Sequence, residues 1–300
     1  LAPLLIPKDE VVMRLLSAYH RGGGKGLSAS AINRFLHCPL CFYWTDLEGI
    51  RKEDVVTETV ESDTFGSILH KVMEELYQRF EGEWVTADLL KNLQQNEALL
   101  RGTVAKAFAS EIIRKYVEKI LEHDRKLTPF TYLESEKRME GCLTLTDGSQ
   151  VNLKGFIDRV DRVNGAVRII DYKTSNSAQA FTDIESLFEP EAEKRPKEVM
   201  QVFFYCWMYG RFGEQPKTTP LQPGIYAVRN LFKEVLDASI KYTPAQSEPV
   251  RVEDFRQFAE PFEEALRCCL DRLFDPAVPF TQASSPKGCL YCLFKSLCGR

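Results

Sequence analysis

The sequence has no excess of positive charge: 39 Lys and Arg stand against 43 Asp and Glu, for a net charge of -4. That excludes a histone-like basic protein and confines any contact with nucleic acid to a local groove. Long apolar runs are also scarce at the opening of the sequence. LAPLLIP, residues 1–7, is too short for a signal-peptide core or a membrane span and runs directly into Lys8, Asp9 and Glu10. A cytoplasmic protein without a membrane partner is expected. No initiator Met precedes Leu1, which points to a segment of a longer polypeptide with further domains. Internal repeats and low-complexity tracts are absent. So is a phosphate-binding loop: RGGGKG, residues 21–26, lacks both the glycine five residues before its Gly-Lys pair and the following Ser or Thr. It reads as a flexible joint between a leader, residues 1–26, and a main domain, residues 27–300.

What is present suffices for a sizeable core, since 44% of the 300 residues are hydrophobic. LSASAINRFLHC opens as a capped helix with Ser28 or Ser30 as N-cap and Ile32, Phe35 and Leu36 on one face. The apolar spacing predicts further helices over residues 64–80, 87–100 and 104–123. From Phe130 the period changes to two. TYLESEKRMEGCLTL, a turn at Asp147-Gly148, VNLKGFIDRVDRV, a turn at Asn164-Gly165 and AVRIIDYKT predict a meander of three antiparallel strands. Residues 174–197 show no period and read as a loop able to move. A helix over 197–210, strands near 224–229 and 235–242, and a last helix over 252–274 complete a mixed α/β pattern with helical additions.

In VRIIDYKT, residues 167–174, Val167, Ile169, Asp171 and Lys173 share one face of the strand, so an apolar stripe becomes a charged one. A two-residue type I′ turn at Asn164-Gly165 sets Asp158 opposite Asp171, and Asp161 opposite Arg168 on the other face. Like charges facing across a ladder are destabilising. A shared hard cation such as Mg2+ resolves the conflict, because it binds through one or two carboxylates plus waters and phosphate oxygens. Lys173 would then orient a water or neutralise a phosphate. The plainer alternative is a solvated sheet face, against which Phe156, Val160, Val167 and Ile169 on that same face speak.

GFIDRVD followed by IIDYKT resembles the PD-(D/E)xK nuclease superfamily, specifically nuclease domains of the RecB/AddB type. The resemblance runs from about Leu27 to Cys298. It implies a restriction-endonuclease-like core, with a mixed central sheet flanked by helices and helical N-terminal insertions. It also implies a site built from Asp158, Asp171 and Lys173, from His70 in TFGSILHKVMEEL, and from Gln201 and Tyr205 in QVFFYCW. Mg2+ or Mn2+ would be held by His70, Asp158, Asp171 and the Tyr172 carbonyl. Gln201 and Tyr205, one helical turn apart, would bind DNA phosphate or brace Lys173, and aromatic residues such as Tyr205 would help hold DNA. Without the resemblance, His70 reads as a boundary residue beside Glu74 and Tyr77, and Gln201 and Tyr205 as core-edge residues. Glu136 could approach from the preceding strand, but a solvated carboxylate is the expectation.

Cys289, Cys292 and Cys298 close the chain, while Cys38 and Cys41 lie near its start. A four-cysteine site joining the two ends suits Zn2+ or an iron–sulfur cluster. Spacing leaves open Cys38/Cys41 with Cys289/Cys292 for zinc. Cys38 with Cys289, Cys292 and Cys298 resembles the iron staple of AddB-type nucleases, which implies a structural 4Fe–4S cluster, although Cys41 departs from that pattern. Cys142, Cys206, Cys268 and Cys269 read as small core residues.

The expected activity is metal-dependent hydrolysis of DNA, in an exonuclease module of a helicase–nuclease acting in double-strand-break repair. No helicase motif is visible, so the motor would lie in another domain or a partner protein. A free-standing nuclease of the CRISPR-adaptation type and a non-catalytic DNA-binding or scaffolding domain are the competing readings.

Overall fold

The structure, a computed structural model, describes residues 4–50, 62–106, 111–174, 177–215, 217–227, 236–244, 247–290 and 292–300. Its elements run β1 (Leu5–Ile6), α1 (Glu10–Ser17), α2 (Ala29–His37), α3 (Pro39–Phe42), α4 (Ser62–Tyr77), β2 (Trp84–Val85), α5 (Ala87–Gln95), α6 (Glu97–Lys106) and α7 (Glu111–Leu127). Then come β3 (Phe130–Thr144), β4 (Gln150–Val163), β5 (Ala166–Lys173), β6 (Ala180–Phe181), α8 (Glu185–Phe188), α9 (Lys197–Phe212) and β7 (Leu221–Ala227). The short β8 (Lys241–Tyr242) and β9 (Val250–Arg251), α10 (Ala259–Phe274) and β10 (Phe280–Thr281) follow.

The central sheet has the order β2-β3-β4-β5-β7; it is antiparallel except that β5 pairs with β7 in parallel. The three-strand meander is as expected. Asn164 and Gly165 both have positive φ, 49° and 84°, the requirement of a type I′ turn, and Val163 faces Ala166. Asp161 meets Arg168 as anticipated.

Each face of the sheet has its own core. Val167 and Ile169 of β5 pack with Ile32 and Phe35 of α2, much of α9, and Phe262 and Leu266 of α10. Ile170 and Tyr172, the alternate residues, pack with Leu69, Val72 and Met73 of α4 and Val117 of α7. The central helix α9 is buried on nearly every side, the pattern of a helix enclosed by protein. Ser28 caps α2, its hydroxyl accepting from the Ala31 N–H at 3.2 Å. Residues 4–26 lie against the main body: Val12, Leu16 and Tyr19 belong to the first core. Asn152 donates to the carbonyls of His20, Gly23 and Lys25.

Several expectations need correction. The single helix over 87–100 is two, because Asn96 ends α5 and its side chain accepts from the Leu99 N–H at the start of α6. Val104 belongs to α6, and the next helix starts at Glu111. Residues 174–197 are not a structureless loop: β6 and α8 lie within them, and Phe181, Leu187 and Phe188 are buried. The last helix begins at Ala259, not 252. Strand β7 covers 221–227; the rest of the expected 224–229 strand and the start of the 235–242 strand lie outside the described residues. Phe156 is 48% exposed. The burial parity of β4 changes near this point, since Val151, Leu153 and Ile157 line the same core as Val160, so alternation misplaces Phe156. Cys206 and Cys269 are core residues, whereas Cys142 is half-buried and Cys268 exposed.

Candidate active site

The end of β5 brings the chemistry together. Asp171 is 1% exposed, and its carboxylate is 2.8 Å from Lys173 Nζ. Burial works against the lysine's charge, but Asp171 and Asp158 outweigh it, so the ammonium is held above its ordinary pKa. From α9, Gln201 Nε2 reaches Asp171 Oδ1 at 3.4 Å and the Tyr205 hydroxyl at 2.8 Å. Gln201 thus reaches the same Asp171 oxygen to which Lys173 Nζ donates at 3.0 Å. Tyr205 is only 7% exposed, so its ring offers no face to a nucleobase. Its place also explains the glycine of GFIDRVD, since a Cβ on Gly155 would sit 3.2 Å from the Tyr205 ring.

Asp158 is buried beside this pair. The β4–β5 register extends to Arg159 opposite Ile170, and the next step brings Asp158 beside Asp171. The Tyr172 N–H donates to Asp158 Oδ2 at 2.7 Å. From α4, His70 lies with Nδ1 3.4 Å from Asp158 Oδ1 and Nε2 3.1 Å from the Tyr172 carbonyl oxygen. Thus the helix, the hairpin and the β5 backbone meet.

Glu136, for which the sequence favours a solvated carboxylate, also reaches this group. Its side chain is 32% exposed, yet Oε1 is 4.0 Å from His70 Nδ1, and burial raises its pKa against the pull of His70. His70, Glu136 and Asp158 offer ligand atoms all within 4.8 Å of one another. Asp171 is outside that group and is held by Lys173 and Gln201. The β3–β4 ladder steps from Ser135/Arg159 to Lys137/Ile157, placing Glu136 across from Asp158. A readable signal existed in the Asp147-Gly148 turn, but the loop spans residues 145–149 with Thr144 opposite Gln150; counted as a two-residue turn, it puts Arg159 across from Glu136.

One imidazole and two carboxylates, crowded into a partly buried space, fit a divalent cation that accepts both nitrogen and oxygen donors. The electrostatics agree. Burial pushes Asp158 up to about 7, with His70 opposing the rise and Asp171 adding to it. An unfolded aspartate titrates at ~3.9, so the metal-free fold keeps a proton that the unfolded chain releases. That stabilisation is complete below about pH 4 and lost as pH rises through about 7. In thermal unfolding without metal, wild type should therefore lose stability relative to Asp158→Asn over this window, and a divalent cation should restore it above pH 7. A difference between the two proteins that is flat with pH would contradict the assignment.

The cysteines from the two ends of the chain also meet. Cys41 is pushed up to about 12 by burial, then by Cys292 and Cys38. Burial raises Cys298 too, and Cys38, Cys292 and Cys289 add to the effect. Thiols gathered from both ends of the chain fit a cationic group that would take them as thiolates. Among the described residues, no three of these sulfurs lie within 4.8 Å of one another.

Comparison with known proteins places these features in context. A protein-family profile described as the PD-(D/E)XK nuclease superfamily matches residues 26–299. An uncharacterized protein of Rickettsia conorii is 26% identical over 163 residues, covering 49% of this chain and 19% of that protein. One of the subunits of the ATP-dependent helicase/deoxyribonuclease of Streptococcus suis is 23% identical over 195 residues, 59% of this chain and 17% of that protein. The chain thus spans less than a fifth of the length of these relatives. The crystal structure of SSO0001 aligns at 13% identity with a TM-score of 0.28, over 89% of this chain and 93% of that one. Among the described residues no helix is long and apolar enough to cross a membrane.

Proposed function

The chain belongs to the PD-(D/E)XK nuclease superfamily, whose members depend on a divalent metal, and on that premise we propose that it is a DNA exonuclease domain of an AddB-like helicase–nuclease acting in double-strand-break repair. The observation that carries this is the meeting of His70, Asp158, Asp171, Lys173 and Gln201, drawn from two helices and two strands, at one end of the sheet. The similarity to the helicase/deoxyribonuclease of Streptococcus suis supports the link to a helicase domain or partner.

Mg2+ or Mn2+ at His70, Asp158, Asp171 and the Tyr172 carbonyl would supply Lewis-acid charge beside the scissile phosphate and lower the pKa of a water there. Lys173 places a fixed positive charge where negative charge develops at phosphorus. Gln201 orients Asp171, and Tyr205 holds Gln201. An imidazole among the donors makes Mn2+ effective at lower concentration than Mg2+.

Cys38, Cys289, Cys292 and Cys298 would hold a 4Fe–4S cluster that ties the two ends of the chain together. Tetrahedral zinc, with Zn–S of ~2.3 Å, needs four sulfurs about 3.8 Å apart, whereas no three of the described thiols lie within 4.8 Å of one another, which favours the larger cluster.

Anaerobically purified protein should degrade linear single- or double-stranded DNA with Mg2+ or Mn2+, stop on addition of EDTA, and show broad brown visible absorption. Folded, metal-replete protein that leaves both DNAs intact overturns the nuclease reading. Colourless protein containing stoichiometric zinc overturns the iron–sulfur assignment alone.

A further inference from the structure

We infer that Phe156 is a stacking platform for a nucleobase, so that the open face of the β3–β4 ribbon carries single-stranded DNA into the site; this rests on the nuclease reading above. The ladder between β4 and β5 stops at Arg159, and residues 150–157 of β4 form a two-stranded ribbon with β3. One face of that ribbon is closed. Val151, Leu153 and Ile157 lie in the first core, and a Cβ on Gly155 would meet the Tyr205 ring of α9. Side chains alternate along a strand, so the residues between these face the other way, towards the side on which α4 packs against the sheet. There Arg138 pairs with Phe156 and Glu140 with Lys154, and all four are exposed.

Phe156 is the apolar exception among them. It is 48% exposed, and among the described residues no aromatic ring or cation packs on it. Arg138, directly opposite, turns instead to Glu140, with Nε 3.0 Å from Oε1. Lys154, next on the same face, has no ion-pair partner among the described residues, which leaves a cation for a backbone phosphate. The ring also stands close to the chemistry, since two residues of strand, about 6.6 Å, separate it from Asp158. Across the ribbon, Glu136 has φ 45°, in the left-handed region, and this bend accompanies the change of parity that leaves Phe156 outside and Asp158 inside. Trp84, the other exposed aromatic among the described residues, lies on the edge strand β2 opposite Thr131. Stacking on an aromatic ring tolerates every base, because each has a π-face. Phe156 thus takes the part in holding DNA that the sequence gave to the buried Tyr205.

The test is single-turnover digestion of a labelled oligothymidylate by the full chain with Mn2+, over a range of protein concentrations, with a strand of stable abasic nucleotides of the same length as competitor. Phe156→Ala is expected to raise the half-saturating protein concentration roughly 5- to 100-fold while the maximal rate stays near that of wild type. The abasic competitor should bind wild type and Phe156→Ala alike, since it has no base to stack. Phe156→Leu, which keeps an apolar chain without a ring, should behave as Phe156→Ala, and Phe156→Tyr as wild type. Unchanged half-saturation in Phe156→Ala, or an equal weakening of the abasic competitor, overturns this inference and leaves the nuclease reading standing. Digestion of duplex DNA alone does the same. Folded, metal-replete wild type that digests neither single nor double strands overturns the nuclease reading and this inference with it.

Discussion

Lys173→Met is expected to lower the rate of DNA hydrolysis about 100- to 1,000-fold while the protein stays folded and still binds its cation. The magnitude is that of removing one preorganised charge from a site where charge develops in the transition state. Methionine keeps the length and apolar stem of the lysine, so the packing of a side chain that is 21% exposed is largely preserved. What disappears is an ammonium held charged by Asp171 and Asp158 against its burial. Removing it makes the carboxylate pair more negative, which should hold or strengthen cation binding. A fall in turnover without a fall in Mn2+ affinity therefore separates a role at the phosphate from a role in supporting Asp171. Single-turnover digestion and a Mn2+ titration on the same preparations decide it. Activity within tenfold of wild type would remove Lys173 from the chemistry, and parallel losses of rate and affinity would reduce it to a support for the metal site.

Much of this site was legible because two local rules coincide on a short stretch. Alternation along β5 and the positive-φ turn at Asn164-Gly165 fix which residues of the hairpin share a face, and those rules need no knowledge of distant chain. Other features were hidden for physical reasons. Glu136 sits in ESEKRMEG, where no residue signals a left-handed backbone, since the glycine or asparagine that would advertise one is absent from that position. Nothing in the local pattern marks Arg159 as buried; Tyr77 of α4 and Asp124 of α7 close over it. The segment 174–197 looks polar, yet Phe181 is buried because Phe203 and Phe258 enclose it from α9 and the turn before α10. The late start of α10 was readable in principle: Pro261 is tolerated in a first turn and not in the middle of a helix begun at 252.

The charge hidden behind the site carries the other large effect. Arg159, Asp124 and Asp161 have side chains with 0% exposure. The guanidinium reaches Asp124 at 2.5 Å and Asp161 at 2.7 Å, and Asp161 also accepts from Arg168 at 2.6 Å. Burial opposes the charge on Asp161, but Arg168 and Arg159 outweigh it and keep its pKa below the ordinary carboxylate value. Tyr77 and Tyr226 donate to Asp124. The rings of Tyr77, Phe130, Tyr132 and Tyr226 surround the guanidinium at 4.9 to 5.7 Å, which helps offset its desolvation. Removing Arg159 alone leaves Asp124 charged and buried, and breaking such a pair costs about 3–5 kcal/mol, a large share of the roughly 5–15 kcal/mol that holds a domain folded. Arg159→Met should therefore lower stability in denaturant unfolding by about that amount. Arg159→Met with Asp124→Leu should recover part of it, because the second change removes the stranded charge. The network also touches the site, since Arg159 Nη1 donates to the Tyr172 hydroxyl at 3.3 Å, and the Tyr172 backbone meets both Asp158 and His70. Loosening that anchor should weaken Mn2+ binding even where the variant remains folded. A loss below about 1 kcal/mol for Arg159→Met, comparable to an exposed ion pair, would mean that the aromatic cage and Arg168 carry the interior without it.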